Sequence, residues 1–148
     1  MATQTETESS VLHEHHPDVE RIYHEWDKAL SENDVDALLK LYAPDATLES
    51  PLIAHLLNWP RGICRGIDEI RQLLQATAER KPTTRRYYRA GYFTDGHTVM
   101  WEYPRSTPDG EQMDFVEVME LQDGLIQKHR VYWGWFGVDV MKKDAYHR

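Results

Sequence analysis

Four strand-like segments occupy the second half of the chain and restrict the possible folds more than any other feature. Between residues 85 and 136, segments rich in aromatic and β-branched residues alternate with the short turns "TDG", "TPDG" and "QDG". Such residues favour extended strands, and turns this short join strands that run antiparallel. The sequence therefore predicts four consecutive antiparallel strands in one sheet.

The first half of the chain has helical periodicity. Apolar residues recur at helical spacing from Pro17 to about Ser31, and the proline suits the first position of a helix. Asn33 or Asp34 can cap a second helix, and Pro44 is expected to end it. Two helices are therefore predicted before residue 46.

The middle of the chain is expected to contain mixed structure. Residues 46 to 51 have the pattern of a short strand, and an apolar segment with a short helix and a loop follows. A third helix is expected from about residue 67 to residue 79. Helices followed by antiparallel strands predict an α+β architecture, in which the helices pack against one face of a curved sheet.

The chain is long enough for one domain with a substantial core. Its 148 residues are 41% apolar and 28% charged, which is ordinary for a single globular domain. Residues 1 to 16 are polar and lack sustained periodicity, which predicts a flexible N-terminal tail. We expect the domain at residues 17 to 140 and a polar C-terminal tail at residues 141 to 148.

Charge and hydropathy argue against several partners and locations. The formal net charge is −8, whereas nucleic acid and anionic membranes require a concentrated basic surface. No segment approaches the roughly 20 apolar residues that span a bilayer, and the acidic N-terminus lacks the features of a secretory signal. We therefore expect a cytoplasmic protein that binds neither nucleic acid nor membrane.

Metal and cofactor sites are not predicted. The single cysteine, Cys64, has no partner for a disulfide or for a cysteine-rich zinc site. Glu117, His129 and His55 are potential metal ligands, but their spacing matches no recognised metal motif. The sequence also contains no glycine-rich phosphate loop and no nucleophile elbow, so we expect no cofactor.

The last hairpin can close in two registers, and the choice decides which side chains share a face. A two-residue turn at Asp123 and Gly124 places Glu117 opposite Arg130 and mixes an apolar row with cations. A three-residue loop that includes the preceding glutamine places Glu117 opposite His129. The apolar rows of both strands then coincide, so the three-residue loop is favoured.

The favoured register brings Glu117 and His129 together on an otherwise apolar face. Directly opposed Cβ atoms in a sheet lie about 4.5 to 5.5 Å apart, so the carboxylate and the imidazole can form a hydrogen bond. Burial disfavours the charged form of each group, while their attraction favours the charged pair. We predict that Glu117 and His129 are catalytic acid and base groups; a structural ion pair in the core is the alternative.

Three longer motifs carry a family resemblance. "NDVDALLKLYAPDATLESP", "CRGIDEIRQLL" and "VMELQDGLIQKHRVYWG" occur in this order between about residues 17 and 137. In these motifs and their separations the chain resembles the nuclear transport factor 2-like superfamily, particularly its SnoaL-like and ketosteroid isomerase-like branches. The resemblance implies a cone-shaped barrel, in which a strongly curved, mostly antiparallel sheet wraps around three N-terminal helices and a pocket opens into the cone.

The resemblance also implies a homodimer through the outer sheet face. Many relatives assemble in this way, and four residues can supply an apolar outer surface here: Val116, Val118, Tyr132 and Phe136. Aromatic residues would then occupy both faces of the last strand.

The family's functional positions carry over to five residues. The isomerase's general base falls at Ser50, and its oxyanion-binding tyrosine falls at Trp26. Its second oxyanion-binding acid falls at Glu117, a carboxylate as that role requires. In the SnoaL-like cyclases a catalytic aspartate follows a histidine by two residues on the last strand; the histidine here is His129 and the aspartate position is Val131.

These positions predict a ligand pocket and a function. We expect the pocket to be lined by Trp26, Ser50, His55, Val131 and Trp133. The leading hypothesis is a cofactor-independent SnoaL-like enzyme that uses acid/base chemistry for isomerisation, cyclisation, hydration or dehydration of a small apolar organic molecule. The alternative is a noncatalytic module that binds a small hydrophobic ligand or a protein partner.

Overall fold

A computed structural model describes residues 15 to 80, 84 to 85, 91 to 107 and 109 to 144. Parts of both predicted tails, and most of the strand predicted from residue 85 to residue 93, lie outside the described residues. The described part contains five helices and seven strands. Among these helices, none combines the length and the apolar character that crossing a membrane requires.

Local sequence explains where the helices begin. The first helix starts at Pro17, as predicted, and carries acidic residues in its first turn, where the helix dipole favours negative charge. Asp34 caps the second helix by accepting a hydrogen bond from the backbone N–H of Ala37. The helices are α1 (Pro17–Ser31), α2 (Val35–Leu39), α3 (Pro51–Leu57), α4 (Ile67–Ala78) and α5 (Trp135–Lys143).

One curved sheet contains all the described strands, namely β1 (Tyr42–Glu49), β2 (Ile63–Arg65), β3 (Thr84–Arg85), β4 (Phe93–Thr94), β5 (Thr98–Ser106), β6 (Gln112–Gln122) and β7 (Leu125–Trp133). Their order is β2-β1-β7-β6-β5-β3, and β4 pairs with β5. β1 runs parallel to β7, and the other pairs are antiparallel. The consecutive antiparallel strands predicted from the turns are therefore present in β5, β6 and β7.

The core lies between the concave face of this sheet and the helices. Helix α1 contributes Val19, Ile22 and Trp26, and α4 contributes Ile70 and Leu73. Alternate residues of β5 and β6 face them: Val99, Trp101, Tyr103, Met113, Phe115 and Met119. Burial of this apolar surface holds helices and sheet together and confirms the predicted α+β cone.

The first strand differs from the prediction. It begins at Tyr42 rather than at residue 46, and Pro44, which is expected to end a helix, lies within it. The pairing of β1 with β7 shifts register between Tyr42 and Thr47. The proline thus occupies an irregular stretch, where its missing N–H interrupts no regular hydrogen-bond ladder. Strand β2 likewise lies in a segment predicted as a loop.

The turn of the last hairpin corrects the favoured three-residue loop. Gln122 pairs with Leu125, so the turn contains two residues, Asp123 and Gly124. Their φ angles are 53° and 76°, the left-handed conformation that a type I′ turn requires at both central positions. Aspartate and glycine tolerate that conformation better than most residues, which favours the tighter turn.

A bulge at Gln127 then changes the register of β7. The pairing shifts by one residue, so that Glu117 pairs with Val131 and His129 pairs with Met119. The predicted direct pairing of Glu117 with His129 is therefore wrong. The extra residue nevertheless turns both side chains to the concave face, so they remain neighbours.

The end of the last strand also differs from the prediction. β7 ends at Trp133, and Phe136, expected on the outer sheet face, belongs to α5. Residues 141 to 143, expected in the polar tail, complete this helix. A Cβ at Gly137 would lie 3.2 Å from Trp133 Cε3 and 3.4 Å from Met113 Cβ. The missing side chain at Gly137 thus lets the helix pack closely on the sheet.

Candidate functional site

A cavity of about 140 Å³ lies between the helices and the concave face of the sheet. Leucines from several elements give it a largely apolar wall: Leu30, Leu48, Leu52, Leu73 and Leu74. Six residues that the sequence places at a functional site also line it: Trp26, Ser50, Glu117, His129, Val131 and Trp133. An apolar wall with a few polar groups is typical of small-molecule sites.

Glu117 and His129 form a hydrogen-bonded pair in this wall. They occupy diagonal positions on adjacent strands, because Glu117 pairs with Val131, and side chains at diagonal positions can reach one another. His129 Nε2 lies 2.6 Å from Glu117 Oε2. His129 is only 2% exposed and Glu117 only 3%. Each therefore depends on the other to replace the hydrogen bonds to water that burial removes.

Two tyrosines and a tryptophan extend this pair into a longer chain of hydrogen bonds. Tyr42 Oη lies 2.8 Å from His129 Nδ1, and Tyr103 donates to Glu117 Oε1 at 2.7 Å. Trp26 Nε1 donates to Tyr42 Oη at 3.4 Å. One helix and four strands therefore each contribute one side chain to a single polar network.

Neither tyrosine is among the site residues predicted from the sequence. Tyr103 has a recognisable signal, because it continues the alternation of Val99 and Trp101 along β5 and so shares their inward face. Tyr42 has no such signal, since it precedes the register shift in β1 and lies in a stretch predicted to end a helix. Periodicity alone cannot assign the face of a residue at such an irregularity.

Donor chemistry assigns the direction of this network. Among the described residues Tyr42 Oη has two partners, Trp26 Nε1 and His129 Nδ1. The Trp26 indole can only donate, so the buried hydroxyl hydrogen finds an acceptor only at His129 Nδ1. His129 Nε2 then carries the hydrogen that it donates to the carboxylate of Glu117. We therefore assign a neutral imidazole with its hydrogen on Nε2.

Tyr42 keeps its proton in this environment. Burial raises the pKa of Tyr42; the hydrogen bond from Trp26 lowers it, and the negative charge of Glu117 raises it further. The net direction is upward, so the hydroxyl remains a hydrogen-bond donor at neutral pH.

Glu117 retains bonding capacity that His129 lacks. Both ring nitrogens of His129 are engaged, one by Tyr42 and one by Glu117. Each carboxylate oxygen has two lone pairs, and each oxygen of Glu117 accepts one hydrogen bond, from His129 or from Tyr103. A bound molecule can therefore meet a free lone pair on Glu117, whereas His129 orients that carboxylate.

His55 occupies a different place from the one predicted. Its Nε2 lies 3.0 Å from Asp144 Oδ1, which also accepts a 2.7 Å hydrogen bond from Arg80 Nη2. Arg80 lines the cavity, but His55 is not among the described residues of the wall. His55 therefore connects α3 to the residue that ends α5. Among the described residues, no three His, Cys, Asp or Glu side chains converge as metal ligands.

The sequence leaves the orientation of Trp59, Trp101 and Trp135 open. Trp135 is exposed at the start of α5, and the other two have structural positions. Trp101 is buried, with its ring centroid 5.5 Å from that of Trp26 in an edge-on arrangement. The guanidinium carbon of Arg61 lies 4.3 Å from the centroid of the Trp59 ring, a cation–π contact. These residues support the fold around the cavity.

Solved structures share this fold. An NTF2-like protein of unknown function from Mesorhizobium loti is 21% identical, with a TM-score of 0.64 over 82% of this chain and 94% of that chain. A steroid delta-isomerase from Pseudomonas aeruginosa is 16% identical, with a TM-score of 0.64 over 86% and 88%. TerC, co-crystallised with polyporic acid, is 16% identical, with a TM-score of 0.67 over 86% and 98%. Likeness at these identities is a likeness of fold.

The family assignment comes from sequence comparison. Comparison with curated proteins gives no match. Residues 19 to 129, three quarters of the chain, match the SnoaL-like domain, in agreement with the resemblance carried by the three motifs. The chain therefore belongs to the SnoaL-like domain family.

Proposed function

We propose that this protein is a cofactor-independent enzyme that transfers a proton on a small, largely apolar organic molecule, with Glu117 as the acid/base group. The observation that carries this proposal is the Glu117 carboxylate in the wall of an apolar cavity, fixed by hydrogen bonds from His129 and Tyr103. A carboxylate held in one orientation and facing a bound molecule can act as a general base.

The proton transfer needs no additional group. A lone pair of Glu117 takes a proton from a carbon next to a carbonyl, and the carboxylate becomes a carboxylic acid. The electron pair of the broken C–H bond moves into the carbonyl and gives an enolate. Return of the proton to a different carbon completes an isomerisation, whereas attack of the enolate on a second carbonyl, followed by protonation of the new alkoxide, completes a cyclisation.

His129 and Tyr42 act in this proposal as positioning residues. His129 donates to one oxygen of Glu117, and Tyr42 fixes the imidazole from its other side. A hydrogen bond to the charged form of an acid stabilises that form, so removal of His129 would alter both the orientation and the basicity of the carboxylate. The steroid isomerase named among the related structures supports the reaction class, because its name describes an isomerisation on the same fold.

A noncatalytic binding module is the second candidate. It is favoured by the low exposure of the pair, 2% for His129 and 3% for Glu117, and by their direct contact. In that case the network keeps polar groups satisfied in the wall of a ligand-binding cavity, and the bound molecule leaves unchanged.

We also propose a homodimer through the outer sheet face. Tyr132 is 55% exposed and Met100 is 42% exposed. Both side chains lie on the face opposite the cavity, and strand β6 lies between them, where Val116 pairs with Tyr132 and Val118 pairs with Met100. Apolar side chains on one face of three consecutive strands form a surface suited to a second copy. Sedimentation of the Tyr132→Glu and Met100→Glu variants tests this assembly, because a charge in such an interface should yield monomers.

Hydrogen–deuterium exchange at carbon tests the proton transfer itself, whatever overall reaction it belongs to. The protein is incubated in D₂O with a panel of ketones, enones, esters and polyketide-like compounds, and NMR follows incorporation of deuterium at carbon. Glu117→Gln should slow enzyme-dependent exchange by about 10²-fold or more. His129→Gln should also slow it, because the carboxylate loses the group that orients it.

A matched control distinguishes chemistry from a general effect of charge. Glu102→Gln makes the same substitution on an exposed position of the neighbouring strand β5 and should leave exchange unchanged. Equal exchange in the wild type and in Glu117→Gln, with both proteins folded by circular dichroism, would remove Glu117 from the mechanism. Binding of panel compounds without any catalysed exchange would favour the noncatalytic module.

A further inference from the structure

One part of the cavity wall contains buried hydrogen-bond donors that no described residue satisfies. Trp133 Nε1 and Arg105 Nε are buried and have no hydrogen-bond partner among the described residues. Both residues line the cavity, and the Glu117 network uses neither of them. Buried polar groups in folded proteins usually have partners, so these two donors require an explanation.

The residues that carry these two donors are both neighbours of Met113. Arg105 pairs with Met113 across β5 and β6. Trp133 packs beside Met113, because a Cβ at Gly137 would touch both side chains. The Trp133 ring also meets Phe115 edge-on, with centroids 4.6 Å apart. Arg105 and Trp133 therefore flank Met113, and we call the Arg105–Trp133 pair the donor end.

The chemistry of the donor end selects its partner. An indole and a guanidinium donate hydrogen bonds and accept none. A guanidinium is always charged at physiological pH, and its hydrogen bonds to an anion are stronger than those to a neutral oxygen. The group that satisfies both donors is therefore an oxygen acceptor, and a negatively charged oxygen satisfies them best.

Distance relates the donor end to Glu117. Met113 and Glu117 lie four residues apart on β6, which corresponds to about 13 Å of strand. Phe115 lies midway between them on the same face and supplies an apolar surface. A molecule bound along this face would thus have its acidic oxygens at one end, an apolar middle, and its opposite end near Glu117.

We propose that the cavity binds a small organic acid, with its carboxylate or acidic enol oxygen on Arg105 and Trp133 and its apolar body along Phe115 towards Glu117. This inference rests on the proposed function, because it names the class of molecule that the same cavity accepts. It also sharpens the expectation of an apolar ligand, since it assigns that ligand one anionic end.

Matched pairs of acids and amides test the inference. The probes are benzoate, phenylacetate, 3-phenylpropanoate and 4-phenylbutanoate, each compared with its primary amide, which has nearly the same shape and no charge. Binding is followed by calorimetry and by the ¹H–¹⁵N spectrum of the tryptophan indoles, with the Trp133 signal assigned by Trp133→Phe. At least one acid should bind about tenfold or more tightly than its amide and should shift the Trp133 indole signal.

Variants separate recognition of the acid from general damage. Arg105→Met should remove the preference for the acid while leaving amide affinity within about twofold. Arg71→Met is the control, because it changes net charge equally at an exposed ion pair on α4 and should retain the preference. Thermal unfolding of both variants identifies any loss of fold, and Arg105→Gln provides a second variant of similar size.

The outcomes distinguish this inference from the proposed function. Equal binding of acid and amide, or an unchanged preference in folded Arg105→Met and Arg105→Gln, would overturn the acid-binding assignment and leave the Glu117 chemistry standing. A preference for the acid in a protein whose exchange activity does not depend on Glu117 would support the donor end and refute the proposed catalysis. Failure of every probe to bind would contradict the inference.

Discussion

Replacing Tyr42 by phenylalanine removes one hydroxyl from the centre of the buried hydrogen-bond network. That hydroxyl accepts from Trp26 Nε1 and donates to His129 Nδ1, and the phenyl ring keeps almost the same shape. His129 is only 2% exposed, so water cannot easily replace the lost donor. The substitution therefore leaves a buried ring nitrogen without its hydrogen bond.

The expected cost follows from that loss. A buried polar group left without a partner costs about 1 to 3 kcal/mol, so we expect Tyr42→Phe to lower the free energy of unfolding by about 2 kcal/mol. Urea denaturation followed by tryptophan fluorescence measures this change. The slope of the unfolding free energy against urea concentration should stay constant if the native fold is retained.

Two further substitutions sharpen the measurement. Tyr103→Phe removes one donor from Glu117, which still accepts from His129, so its cost should be smaller than that of Tyr42→Phe. Tyr23→Phe removes a hydroxyl that accepts a 3.3 Å hydrogen bond from an exposed backbone N–H and should cost less than about 0.5 kcal/mol. A cost for Tyr42→Phe as small as that for Tyr23→Phe would refute the buried hydrogen bond between Tyr42 and His129.

Two other predictions concern groups outside the network. Hydrogen bonds from Arg61 and from the backbone of Arg65 lower the pKa of Glu69 to about 2. Because this folded-state pKa lies below the unfolded one, the free energy of unfolding should fall as pH drops from about 4.5 towards 2. Urea denaturation at a series of pH values measures this fall, which Glu69→Gln should reduce. Burial raises the pKa of Cys64 to about 11, with Glu69 adding to the rise and Arg61 opposing it. Because the thiol is also 0% exposed, a thiol-specific dye should label Cys64 in the native protein many times more slowly than in urea.

The sequence predicted those parts of the fold that depend on local signals. Helix α1 has the bounds that its periodicity and Pro17 indicate, because an amphipathic helix records its buried face at every turn. The three Asp-Gly dipeptides between the antiparallel segments also marked real turns, and the inward orientation of Glu117 and His129 was inferred correctly from the apolar rows. Each of these features depends on residues that lie close together in the sequence.

The missed features depend on contacts between distant segments. The bulge at Gln127 faces an irregular stretch of β1, where Gln127 Nε2 donates to Asp45 Oδ1 at 3.0 Å, and nothing in β7 alone reveals it. Tyr42 reaches His129 only because β1 runs parallel to β7. Helix α5 begins where the strand pattern continues, and its close packing depends on the space at Gly137. Contacts between distant segments therefore determine the bulge, the position of Tyr42 and the start of α5.

The bulge at Gln127 also affects how this cavity could change in evolution. Successive residues of a strand face opposite sides of the sheet, so one extra residue reverses the orientation of every side chain that follows it. With the bulge, His129 and Val131 face the cavity; in an uninterrupted strand from the same turn, Lys128 and Arg130 would take those places. Insertion of one residue between Gln127 and Lys128 can therefore exchange a neutral wall for a basic one without any substitution, whereas deletion of Gln127 removes the bulge and keeps the same pairs.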